Sequence, residues 1–336
     1  MTSGATRVWY GDDLFARGAR MALWPAAAAY RVVTEARNTL YDSGVLSARN
    51  MALPTISIGN LTVGGTGKTP VAAWLAGELA RRGAKPAIVL RGYGADEPLV
   101  HERLNPGIPV VVNADRVAGV ARADELGATV AVLDDAFQHR RAARDADVVL
   151  LSAERGIASA RMLPAGPFRE PLSSLRRASL VVVTRKTASL ARAESLSADV
   201  SRAFDVPCAV MSLAPESLVR MTDGDTVAMA ALRDAHVMVF TGVGEPELVA
   251  EQLRGIGAQV ELRAYPDHHA FSDAELASAA ASARDGAYAV CTLKDAVKVS
   301  QRWPGPGPLW YLSQQVHVDL GADLLDGLLN VLVVAI

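Results

Sequence analysis

Short apolar runs alternate with helical stretches over most of the chain. Residues 53–59 (LPTISIG) read as a strand and 68–83 (KTPVAAWLAGELARRG) as a helix. Residues 85–90 (KPAIVL) and 108–112 (IPVVV) are strands, 115–127 (DRVAGVARADELG) a helix, and 129–135 (TVAVLDD) a strand. Two further apolar runs follow at 146–152 and 179–184. Continuous valine- and isoleucine-rich strands separated by helices predict a mostly parallel sheet covered on both faces. In such α/β sheets the active residues lie at the carboxyl ends of the strands. A turn-rich stretch at 222–231 (TDGDTVAMAA) suggests a boundary. Beyond it the alternation restarts, with a strand running into a loop over 236–244, strands at 259–265 and 287–293, and helices at 246–257 and 272–286.

The first 42 residues have a different pattern. They are alanine-rich and hold Trp9, Tyr10, Phe15, Trp24, Tyr30 and Tyr41, interleaved with Arg17, Arg20, Arg31 and Arg37. Aromatics and arginines on one amphipathic helix suit a bilayer headgroup region. The same composition also suits a helix packed on the protein's own core. The expected organisation is a helical leader over 1–42, a core over 43–225 and a smaller α/β unit over 226–336. No run reaches the roughly 18 to 20 apolar residues that span a bilayer. Asp12 and Asp13 interrupt any secretory signal. A net charge of −2 gives no basic field for nucleic acid. Cys208 and Cys291 stand far apart, which argues against a disulfide framework or zinc site.

Candidate chemistry begins at residues 59–70, GNLTVGGTGKTP. A glycine-rich turn between a buried strand and a helix lets successive N–H groups curl around phosphate. The loop is Thr62, Val63, Gly64, Gly65, Thr66, Gly67, Lys68 and Thr69. Lys68 can bridge the β- and γ-phosphates of ATP, and Thr69 can ligate Mg2+. Thr62 stands where the general motif has its first glycine. The strand ending in Asp134 and Asp135 supplies the metal-side carboxylate that such a loop needs. A guanine-reading [NT]KxD segment is missing, since residues 184–187 read TRKT. The ParA-like ATPases carry a lysine where this chain has Val63. Both observations favour a kinase over a switch NTPase. PDHH at 266–269 also occurs in metal-dependent phosphoesterases, but those need aspartate clusters upstream, where this chain has a phosphate loop.

Further motifs follow in order: RGYG at 91–94, DEPL at 96–99, LDDAFQHR at 133–140, RMLPAGPFREPL at 161–172, YPDHH at 265–269 and TLKDAVK at 292–298. Together they resemble the tetraacyldisaccharide 4'-kinase (lipid A 4'-kinase) family, over about residues 24–298. The resemblance implies a P-loop NTPase-type α/β fold with a smaller C-terminal α/β domain. It implies transfer of the ATP γ-phosphate to the 4'-hydroxyl of a tetraacylated glucosamine disaccharide 1-phosphate. It implies Mg2+ and peripheral attachment to the cytoplasmic face of the inner membrane through the leader. Asp96 then serves as the base with His268 as its partner. Arg116, Gln138 and Arg169 lie around the phosphates, Glu170 on the Mg2+ side and Glu97 near the acceptor. The alternatives are a P-loop kinase for another sugar or alcohol and a regulatory ATPase with a protein partner. The reading expects the active site in a cleft that closes over ATP. Three positions depart from the family pattern. Only Ala95 separates RGYG from DEPL, where the family has a longer insert, which puts Asp96 on a shortened loop; Ala136 replaces a usual glycine and Glu245 a common asparagine.

Overall fold

The computed structural model describes residues 4–92, 94, 96–158, 160–283, 287–305 and 307–334. Its elements group into two compact units. One comprises residues 2–92, 101–211 and 318–336, the other residues 93–100 and 212–317. This is not a single cut near residue 225. The segment bearing Asp96 groups with the later unit, and the C-terminal segment returns to the earlier one.

In the first unit, α1 (Gly4–Tyr10) and α2 (Leu14–Asp42) precede β1 (Thr55–Asn60), α3 (Lys68–Arg81) and β2 (Pro86–Leu90). Helix α4 (Asp96–Leu104) is divided between the units after Val100. Then come β3 (Val110–Val112), α5 (Arg116–Glu125), β4 (Val130–Asp134), β5 (Ala146–Ser152), β6 (Leu180–Arg185), α6 (Leu190–Phe204) and β7 (Cys208–Arg220). The strand order is β7-β6-β5-β1-β4-β2-β3. Every pair from β6 to β3 is parallel. Strands β1, β2 and β4 are buried along their whole length, which is why they read as unbroken apolar runs. Each fully buried Ile or Leu in them contributes about 2 kcal/mol by leaving water.

Strand β1 lies between β4 and β5, so the chain order reverses around it. That reversal opens a crevice at the carboxyl ends, the usual ligand position in doubly wound sheets. Register sharpens the placement. Ile58 pairs with Asp134, so the end of β4 lies beside the start of the phosphate loop.

The second unit holds the later part of β7, β8 (Thr226–Ala228), β9 (His236–Thr241), α7 (Pro246–Gly255), β10 (Gln259–Ala264), α8 (Asp273–Ser282), β11 (Tyr288–Thr292), α9 (Leu293–Val299) and the first part of β12 (Leu309–Leu320). Strands β10, β9, β11 and β12 are neighbours in that order and pair in parallel. The helix expected over 272–286 is described to Ser282, and residues 284–286 lie outside the described residues. Helix α10 (Ala322–Val334) belongs to the first unit.

The leader is helical, and its two faces differ. Asp13 caps α2 by accepting from the Ala16 N–H, and only Ala16, Ala27, Thr34 and Asn38 are buried. Trp9, Tyr30, Arg37 and Asn38 hydrogen-bond to Pro164, Arg169, Gln138 and Glu170 of the core. Leu14, Phe15, Met21, Trp24, Val32 and Val33 are exposed. Among the described residues no helix is long and apolar enough to cross a membrane.

Candidate active site

The phosphate loop leaves β1 at Asn60 and enters α3 at Lys68. Gly64 and Gly67 have φ of 119° and 86°, in the left-handed region that a side chain disfavours. The loop is also fastened from outside. Thr62 forms an antiparallel bridge with Phe168, and the Val63 N–H donates to Pro167 O at 2.8 Å. A residue paired in this strand-like way needs no glycine, which accounts for Thr62 in place of the general motif's first glycine. Thr66 is buried and its hydroxyl accepts from Asn60 Nδ2 at 2.8 Å. Thr184 Oγ1 and Lys186 Nζ donate to the carbonyls of Thr66 and Gly65. The segment weighed above only as a guanine reader therefore braces the loop.

Asn60 is the hub that sequence reasoning missed. Its Oδ1 accepts from Lys68 Nζ at 3.3 Å and from Arg169 Nη2. Its carbonyl accepts from Gln138 Nε2 at 2.9 Å and from Arg169 at 3.2 Å. Arg169 also grips Asp135 with both terminal nitrogens, at 3.1 and 2.8 Å. Lys68 Nζ lies 3.9 Å from the same carboxylate. Burial works to raise the pKa of Asp135, but Lys68, then Arg169 and Arg116, outweigh it and hold the carboxyl below the usual aspartate value.

Asp134 faces differently. Its Oδ2 is 2.9 Å from Nε2 of the buried His101, and its buried Oδ1 has no hydrogen-bond partner among the described residues. Arg116 is buried and holds the ends of two strands by donating to Asn113 O and Asp134 O. Thr69 sits in the first turn of α3. Thr69, Asp134 and Asp135 are oxygen donors suited to a hard divalent cation that keeps waters and phosphate oxygens in its shell. Among the described residues no three His, Cys, Asp or Glu side chains group to hold a metal. Glu170 is accordingly not gathered with the two aspartates. Its Oε2 accepts from Asn38 Nδ2 at 3.1 Å and Arg177 Nη2 at 2.8 Å, tying the leader helix to the core.

The second unit gathers its own cluster. Asp96 opens α4, at a helix start where the shortened linker suggested a loop, and is buried. Its Oδ2 lies 3.6 Å from His268 Nδ1, 3.4 Å from Lys298 Nζ and 4.0 Å from Lys294 Nζ. That oxygen has no hydrogen-bond partner among the described residues. A Cβ at Gly94 would collide with Asp96 Oδ1, so a side chain there would displace this carboxylate; Tyr93 and Ala95 lie outside the described residues. Glu97 follows on the same turn, half-buried. His268, with φ of 58°, donates its backbone N–H to Gly242 O and Asp267 Oδ1. His269 instead contacts Glu275 at 3.1 Å and stacks on Tyr265. The geometry thus distinguishes two adjacent histidines that the sequence left ambiguous.

Lys294, Asp295 and Lys298 of TLKDAVK carried no assigned role from sequence. The fully buried Asp295 accepts from Thr241 Oγ1 at 2.6 Å, Thr292 Oγ1 at 2.8 Å and the Gly242 N–H at 3.2 Å. Lys298 Nζ lies 3.6 Å from its other oxygen. The only sequence signal was the spacing of the lysines at i and i+4, which puts them on one helix face.

The family model described as "Tetraacyldisaccharide-1-P 4'-kinase" matches residues 19–96 and 95–332. The two matches meet at Asp96, where RGYG gives way to DEPL. A tetraacyldisaccharide 4'-kinase from an Anaeromyxobacter species is 39% identical, over 88% of this chain and 87% of that protein. One from Halorhodospira halophila is 36% identical over 96% and 95% of the two chains. The crystal structure of LpxK from Aquifex aeolicus in complex with ATP superposes with a TM-score of 0.72 at 27% identity, covering 93% of this chain and 99% of that one. With its motifs, fold and relatives in agreement over nearly the whole length, the chain belongs to the tetraacyldisaccharide 4'-kinase family.

Proposed function

We infer that this protein transfers the γ-phosphate of ATP to the 4'-hydroxyl of a tetraacylated glucosamine disaccharide 1-phosphate, a step of lipid A biosynthesis. The carrying observation is a phosphate loop with Lys68 beside Asp135 and Asn60, in a chain whose named relatives are kinases of that acceptor. The N–H groups of residues 64–69 and the α3 N-terminus receive the phosphates. Lys68 and Arg169 turn from Asn60 and Asp135 to the phosphate oxygens, where planar guanidinium and ammonium offset charge in the transfer. Thr69, Asp134 and Asp135 would hold Mg2+, which supplies charge neutralisation at the phosphates. Arg116 and Gln138 keep the strand ends and Asn60 in place. Glu170 acts from a distance, by fixing α2 to the loop that bears Arg169.

Asp96 is the base. As the 4'-oxygen bonds to the γ-phosphorus and the bond to the β-phosphate oxygen breaks, the hydroxyl proton passes to the free Oδ2 of Asp96. His268 orients that carboxylate, and Glu97 lies on the acceptor side. The exposed apolar face of α2 contacts the headgroup region at the cytoplasmic face of the inner membrane. Leu14, Met21 and Trp24 follow helical spacing, with Arg17 and Arg31 flanking them.

The test is incubation with labelled ATP, Mg2+ and the tetraacyldisaccharide 1-phosphate in detergent. A product labelled at the 4'-position is expected. ATP hydrolysis with no labelled lipid would replace this reading with a regulatory ATPase, and transfer only to a soluble sugar would replace the acceptor.

A further inference from the structure

We propose that Lys294 is a positioning residue that fixes the ring proton of His268 on Nδ1, facing Asp96. Lys294 Nζ lies 2.9 Å from His268 Nε2. An ammonium carries donors and no acceptor, so the contact requires a lone pair on Nε2. In a neutral imidazole the proton then sits on Nδ1, the nitrogen 3.6 Å from Asp96 Oδ2. An imidazolium would set an Nε2–H against the ammonium. Lys294 therefore selects one tautomer of the neutral ring.

Both partners are tied in through their neighbours. Lys294 stands in the first turn of α9, whose N-cap Thr292 accepts from the Asp295 N–H, and Asp295 is pinned by Thr241, Gly242 and Thr292. Lys294 also lies 3.5 Å from Asp267 Oδ1, the oxygen that receives the His268 backbone N–H. Among the described residues, the charged groups facing the ring are thus Asp96 from α4, Lys294 from α9 and Asp267 from its own turn. Lys298 and Asp295 stand behind Asp96. With the proton fixed on Nδ1, His268 can only donate toward Asp96. It cannot compete with the carboxylate as acceptor for a substrate proton.

The catalytic consequence rests on Asp96 being the base, but the tautomer does not. The full-length protein is labelled with 15N-histidine, and His268 is assigned among the six histidines by His268→Gln. At neutral pH the ring nitrogens should report a protonated Nδ1 and an unprotonated Nε2. Lys294→Met should convert Nε2 to a protonated or averaged nitrogen, and Lys294→Arg, still a donor-only cation, should restore it. A protonated Nε2 in the wild type, or unchanged nitrogens in Lys294→Met, would overturn the proposal. In kinetics, Lys294→Met should lower kcat about tenfold with the KM for ATP unchanged, a smaller loss than removal of a base. A shifted tautomer with unchanged kcat would leave Lys294 as the determinant of the tautomer and overturn its catalytic consequence.

Discussion

The phosphate loop and the Asp96 cluster are built from the same kinds of charge and arranged in opposite ways. Around Asn60, the cations are in direct hydrogen bonds, with Arg169 forked onto Asp135 at 2.8 and 3.1 Å. Around Asp96, three nitrogens stand off at 3.4 to 4.0 Å, and Oδ2 has no hydrogen-bond partner among the described residues. The first arrangement is a preorganised cradle, in which donors are already aimed and only exchange a carboxylate for a phosphate. The second sets three nitrogens around a buried carboxylate oxygen without a hydrogen bond to it. A structural ion pair would close those distances, because an unpaired buried oxygen costs about 1–3 kcal/mol.

The comparison breaks most sharply at Lys68. Lys68→Ala should lower transfer on the order of 10³-fold, since it removes a cation aimed at the transferring phosphate. Steady-state kinetics with the lipid acceptor check this. Arg169→Lys keeps the charge and loses the fork onto Asp135, so kcat/KM for ATP should fall about thirtyfold while Asp96-dependent steps are untouched. A change confined to the acceptor KM would contradict the cradle.

The leader tests a third surface. Trp24→Glu in an exposed apolar stripe should weaken binding to anionic vesicles about tenfold and leave ATP binding unchanged. Sedimentation with vesicles reads this directly. Deleting residues 1–40 is a poorer experiment, because it also takes Asn38 from Glu170 and Tyr30 from Arg169.

The smallest effect is on stability. The Ser272 backbone N–H, the Ser272 hydroxyl and then His269 hold the Glu275 carboxyl at about 2. Its contribution is present above the ordinary value of 4.5 and is lost as pH falls through about 2. Ser272→Ala should cost about 1 kcal/mol at neutral pH. It should also flatten the acid dependence of denaturant midpoints in that window.

The inner strands β1, β2, β4, β5 and β6 were legible because they are buried nearly throughout and read as apolar runs. The phosphate loop was legible because glycines, lysine and threonine must be contiguous to cradle an anion. The Asp96 cluster was not, since its members lie far apart in sequence and meet only through tertiary packing. Asp96 was read by resemblance, and its position at the first residue of α4 was hidden by the missing insert. Lys294 and Lys298 carried no role in the sequence, and only the fold turns that helix face toward a buried carboxylate. Asn60 stood inside a quoted motif without a role, because a side chain bridging Lys68, Thr66 and Arg169 has no linear signature. Glu170 was expected on the metal side; Arg177 and Asn38 hold its Oε2, while its buried Oε1 has no hydrogen-bond partner among the described residues.

The central claim is that Asp96 takes the proton while the loop holds the nucleotide, and Asp96→Asn tests it most directly. ATP affinity by calorimetry and single-turnover transfer to the tetraacyldisaccharide 1-phosphate should be measured on the same preparation. The account predicts unchanged ATP affinity and transfer slowed on the order of 10²-fold or more. Transfer at the wild-type rate, with ATP still bound, would contradict it.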